Sequence, residues 1–122
     1  MNESFEEKNL IHLINWAKQN KKSLQIRRQF HVAAIYQRKR LISLAINTDK
    51  THPAMKPWYP YFPGLGTHAE LNAILQAEKI DFSKSTLYVI RIDNNGNVAD
   101  SKPCCYCQKM IESFQFYKVI HS

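Results

Sequence analysis

"HAELNAILQAEKI" (His68–Ile80) and "PCCYC" (Pro103–Cys107) decide how this chain is read. The first stretch carries Leu71, Ile74 and Leu75 at helical spacing, so a helix is predicted from near His68. The second opens on proline, which favours the first turn of a helix. Cys107, Met110, Ile111 and Phe114 then step i, i+3, i+4, i+7, which predicts a further helix from Pro103. Each helix therefore begins with side chains that can ligate a metal.

Working outward, "STLYVIRI" (Ser85–Ile92) is the strongest strand, "DNNGN" after it is a turn, and "YKVIHS" (Tyr117–Ser122) is a short strand. Upstream, Ser4 and Glu7 have capping-box spacing, and Leu10, Leu13, Ile14 and Ala17 share one helical face. "HVAAIY" (His31–Tyr36) and "LISLAIN" (Leu41–Asn47) flank the basic "QRKR" and read as a hairpin. The order α-β-β-α-β-α-β predicts a sheet with parallel pairs and helices on its faces. The length of 122 residues points to a single domain over 1–122, long enough for a core without disulfides.

Four of the five prolines fall between Thr48 and Thr67, among Trp58, Tyr59, Tyr61 and Phe62. Prolines so dense exclude a regular helix or a central strand. A loop this long is usually functional or disordered. Its rings, Trp58 and Tyr59 among them, either plug the edge of the core or form an aromatic wall or lid beside a binding pocket.

No apolar run approaches the roughly 18–20 residues of a membrane span. The start, "MNESFEEKNL", is too acidic for a secretory signal, so a cytoplasmic protein is expected. The formal charge is +7, from 17 basic and 10 acidic residues. That charge is either a solvated surface or a bias toward anionic partners such as nucleotides or nucleic acid.

All three cysteines lie in one pentapeptide, too close for a disulfide framework. Cys104 and Cys107, at i and i+3 in an opening helical turn, face the same way, and the helix N-terminus there favours thiolates. With His68 they make a good tetrahedral set for Zn2+ that leaves a position for water. Cys105 is off that face and is expected to be a packed thiol. Glu70 can take and return a proton beside such a site. Other readings stay open: a thioredoxin-like redox pair, a satisfied core histidine, or a structural zinc taking Cys105, His31, His52 or His121 as fourth ligand.

His68-Ala69-Glu70 with Pro103-Cys104-Cys105-Tyr106-Cys107 resembles the H-x-E…P-C-x-x-C signature of zinc-dependent nucleobase deaminases, and the chain looks like a short member of the cytidine and deoxycytidylate deaminase superfamily. The resemblance implies a three-layer α-β-α cytidine deaminase-like fold with a mixed sheet of about four strands. It implies zinc on His68, Cys104 and Cys107, a zinc-bound hydroxide attacking C4 of cytosine, and Glu70 as proton shuttle. It further implies that Asn47 contacts the sugar and that the backbone N–H of Ala69 contacts the base. Many relatives continue into another strand and helix beyond the point matching Ser122, so substrate contacts from that region are expected to be absent or supplied by a partner subunit in a homo-oligomer. The substrate implied is a cytosine nucleoside or nucleotide. A base in single-stranded nucleic acid or tRNA is the alternative, and a non-catalytic binding module is a third reading.

Overall fold

The computed structural model describes residues 4–25, 30–47, 68–77, 80–101 and 105–122, with residues 105–107 described by backbone alone. The aromatic-proline segment, with Trp58 and Tyr59, and Pro103 and Cys104 lie outside the described residues.

Helix α1 (Phe5–Ser23) starts where the sequence places it. Ser4 is the N-cap, and its Oγ accepts the Glu7 N–H at 3.1 Å. Glu6 and Glu7 in the first turn and Lys21 and Lys22 in the last suit the helix dipole. Leu13 and Ala17 are buried against the sheet, with Leu10 and Ile14 beside them.

Strands β1 (Phe30–Gln37) and β2 (Arg40–Ile46) form the antiparallel hairpin, and its register shifts between Ile35 and Tyr36. Arg38 takes φ 56 at the turn. Strand β3 (Ser85–Ile92) pairs antiparallel with β1, from Phe30↔Ile92 to Gln37↔Ser85. Two further strands share the other edge of β3. Strand β4 (Val98–Ala99) pairs antiparallel with its C-terminal end, and β5 (Lys118–His121) pairs parallel with Thr86 to Val89. The described sheet thus has five strands. The one added to the expected set is the two-residue β4, folded back by the turn after Ile92. A single parallel pair, β3 with β5, makes the sheet mixed.

Helices α2 (Ala69–Ala77) and α3 (Cys105–Phe114) cover the face opposite α1. Alternation along the strands explains the two cores. Val32, Ala34, Tyr88, Ile90 and Ile92 meet α1. Ala33, Ile35, Leu87 and Val89 meet Leu71, Ile74, Met110 and Ile111 of α2 and α3. A sheet buried on both faces is why β1 and β3 read as nearly continuous apolar runs. The result is the α/β fold in three layers. No helix among the described residues is long and apolar enough to cross a membrane.

Candidate active site at the start of two helices

Hydrogen bonds tie α2 to β2. Asn72 Nδ2 donates to the Ile46 carbonyl at 2.8 Å, and Ser43 Oγ donates to the Ala73 carbonyl at 2.8 Å. The Asn72 N–H bonds the His68 carbonyl at 3.2 Å, so His68 sits at the cap position of α2. The first turn of α2 therefore lies at the sheet end that carries the C-terminus of β2.

Helix α3 begins at the same end. Just before it, Ser101 Oγ donates to the Val89 carbonyl at 2.6 Å. The Ser101 N–H bonds the Ser122 carbonyl at 3.0 Å, and Ser122 Oγ donates to the Ala99 carbonyl at 2.7 Å. These bonds pin Ser101 between β4 and β5. At the other end of the helix, Phe114 and Phe116 pack on Phe82, and the Tyr117 N–H reaches the Ser85 carbonyl at 3.0 Å. So α3 runs antiparallel to β3 and starts at the C-terminal end of that strand. Free N–H groups of two helix starts converge on one end of the sheet, which favours negative charge there.

Glu70 lies in the first turn of α2 and is only 4% exposed. A buried carboxylate needs a partner or a task, since desolvating an unpaired charge is costly. His31, on the same face of β1 as Ala33 and Ile35, stands opposite Arg91 of β3. Burial holds the His31 imidazole below its ordinary value of 6.5; the Glu70 carboxylate opposes this, while Arg91 and His68 reinforce it. His31, His68, Glu70 and Arg91 are therefore electrostatic neighbours.

Asn47 closes the hairpin beside them. Its Oδ1 accepts the His31 N–H at 3.1 Å, and its own N–H bonds the His31 carbonyl at 3.2 Å. Arg91 Nη1 donates to the Asp100 carbonyl at 3.2 Å, whereas its Nε is buried without a hydrogen-bond partner. A buried donor left unsatisfied is uncommon and marks a place where water or a ligand is expected.

The structure thus brings together His68, Glu70 and Asn47 with His31, which the sequence offered only as a possible fourth ligand, and adds Arg91. Arg91 escaped sequence reading, although it is the one charged residue in "STLYVIRI". Ala69 is fully buried at the start of α2. His121, exposed on β5, lies 3.6 Å from the Asp100 carboxylate. Among the described residues no group of three His, Cys, Asp or Glu side chains could hold a metal. The donor chemistry fits one nevertheless: a histidine stands at the cap position of α2, two cysteines stand at the start of α3 in the sequence, and both helices start at one sheet end.

Comparison with the curated proteins returned no match. The family model for the cytidine and deoxycytidylate deaminase zinc-binding region matches residues 7–122, a span that holds every described strand, the His68-Ala69-Glu70 turn and the cysteine cluster. The chain belongs to the cytidine and deoxycytidylate deaminase family.

Proposed function

We propose that the protein is a zinc-dependent hydrolase that deaminates the cytosine of a nucleoside or nucleotide, releasing ammonia and the uracil product. The observation that carries this reading is Glu70: a buried carboxylate two residues after His68, at the sheet end where α3 also starts.

His68, Cys104 and Cys107 would hold the zinc, with Glu70 outside the coordination. Zinc held there supplies a Lewis acid that makes water a nucleophile near neutral pH. Adding water to C4 requires removal of a proton from that water and protonation of ring N3. Expelling the exocyclic amine then requires a proton on its nitrogen. One carboxylate that carries the first proton to N3, then takes the second from the new C4 hydroxyl as the carbonyl forms and delivers it to the amine, accounts for the balance, water entering and ammonia leaving. Such general acid–base work is typically worth about 10²–10⁴ in rate.

Asn47 is assigned to the sugar. With Oδ1 engaged by His31, its Nδ2 is the group left to donate to a hydroxyl. The Ala69 N–H, one of the first-turn donors an α-helix leaves unbonded, is assigned to the base. Trp58 and Tyr59 are assigned to stack on it, from the sequence alone.

Mass spectrometry after incubation with cytidine, deoxycytidine, their monophosphates, and short single-stranded RNA and DNA tests the reading. Replacement of an amine by a carbonyl in any of these supports it and identifies the sugar and phosphate preference. No conversion of any, by a zinc-loaded protein, would leave the fold as a binding module.

A further inference from the structure

Four aromatic rings meet at the end of the sheet away from Glu70, on the face that α1 covers. They line a cleft of about 350 Å³. Phe5 comes from the first turn of α1, Tyr36 from β1, Tyr88 from β3, and Tyr117 from the residue before β5. Tyr36 meets Phe5 edge-on at 6.4 Å between ring centroids and Tyr88 at 5.3 Å. The inner wall is a packed aromatic surface, with Tyr88 buried. The outer wall is open: Phe5 is 40% exposed and Tyr117 is 72% exposed. Rings set edge to face offer a flat guest the same contact they make with each other.

The rim of the cleft is cationic, lined by Arg38 and Lys84. Gln37↔Ser85 is the last pair of β1 on β3, and Arg38 and Lys84 are the next residue on each segment. Two like charges therefore stand across from each other, an arrangement that an anion between them relieves. Among the described residues neither cation has an ion pair. Glu6 also lines the cleft, but its carboxylate is held by Lys118 at 2.7 Å. Asp81 is the acid whose field reaches Lys84, yet it lies outside the cleft, and its Oδ1 accepts the Ser83 N–H at 3.0 Å and the Ser83 hydroxyl. The two-residue turn Arg38-Lys39 sets Arg38 at φ 56, a left-handed conformation that asparagine or glycine takes more readily. Nothing in the hairpin itself calls for arginine there.

We propose that this cleft binds a small aromatic acid: a flat ring system with one anionic group on a short arm, the ring against Tyr36 and Tyr117 and the anion between Arg38 and Lys84. The volume lies at the lower end of small-molecule clefts, which suits a guest of one or two rings. The cleft is a second site and not an annex of the first. Strand β1 covers about 20 Å from His31 to Gln37, and the two sites lie on opposite faces of the sheet. A molecule of this size does not reach both, so the proposal does not rest on the deaminase reading.

Naphthaleneacetate, titrated into isotope-labelled protein and followed by amide chemical shifts, tests this, with naphthaleneacetamide as the neutral probe of the same shape. The acid should move the amides of Tyr36 to Arg38, Lys84 to Tyr88 and Tyr117. It should bind about tenfold tighter than the amide, an advantage that shrinks as salt rises. Arg38 and Lys84 are exposed and asparagine suits the turn, so Arg38→Asn/Lys84→Gln keeps the fold, which circular dichroism verifies. That variant should bind the acid no better than the amide. Lys18→Gln/Lys22→Gln, the same charge change at the other end of α1, should leave the tenfold preference in place. Tyr117→Ser, which removes the exposed ring, should weaken acid and amide alike. No saturable binding of the acid, equal affinity for acid and amide in the parent, loss of the preference in both charge variants, or shifts centred on His68 to Glu70 would overturn the proposal. So would tighter binding of a peptide that alternates aromatic and acidic residues, which would give the cleft to a protein partner. No readout here involves deamination, so the cleft and the role of Glu70 fail separately.

Discussion

At the residue scale the site depends on a few polar side chains set into an apolar sheet end. Glu70 and His68 were legible because their spacing is a chemical pattern at the start of a helix. His31 was legible only as one of several spare histidines. Arg91 was not legible at all: one arginine in a strand reads as a solvent-facing residue, and only the register of β1 on β3 sets it opposite His31. The depressed pKa of His31 has a measurable consequence. The folded protein binds fewer protons at this ring than the unfolded chain, so stability is full above the ordinary value of 6.5 and is lost as pH falls below it toward the folded value. His31→Gln should flatten this dependence: its melting temperature should drop less than the parent's between about pH 7.5 and about pH 5.5. An equal drop would show that burial of His31 does not carry that linkage. Cys105 tests the sulfur assignment. Positions i and i+2 do not share a helical face, so Cys105→Ser should keep zinc at about one per chain. Metal analysis showing a large loss would make Cys105 a ligand and the site structural.

At the scale of elements, the helix starts were more legible than the ends of the strands. Capping and periodicity are local, so Ser4 predicted the start of α1, and the N-cap bond is present. Ser4→Ala removes one satisfied N–H and should cost about 1 kcal/mol, read as a lower denaturant midpoint with an unchanged slope. An unchanged midpoint would mean that tertiary packing alone fixes the start of α1. Strand β4 could not be read, since two residues carry no alternation and owe their pairing to the turn at Asp93, where Gly96 supplies the positive φ of 84. The directions of α2 and α3 were also beyond the sequence. They follow from long-range bonds, Asn72 to Ile46 and Ser101 to Val89, that join residues far apart in the chain. Those bonds bring the two helix starts to the same end of the sheet, and the chemistry depends on that convergence.

At the scale of the whole molecule, one mixed sheet separates α1 from α2 and α3. Helix α1 and its lysines lie on one side; α2, α3 and the candidate site lie on the other. The order of elements made the α/β class legible. The distribution of the +7 charge was not legible, because charge counts say nothing of which basic residues the fold gathers. The account's central claim is that Glu70 moves protons and does not hold metal. Ammonia release and zinc content, measured in parallel on the parent and on Glu70→Gln with the substrate the parent converts, test it most directly. The account predicts equal zinc in both proteins and a fall in ammonia release of at least about 10². Undiminished release would contradict the assigned role, and so would zinc lost together with the carboxylate.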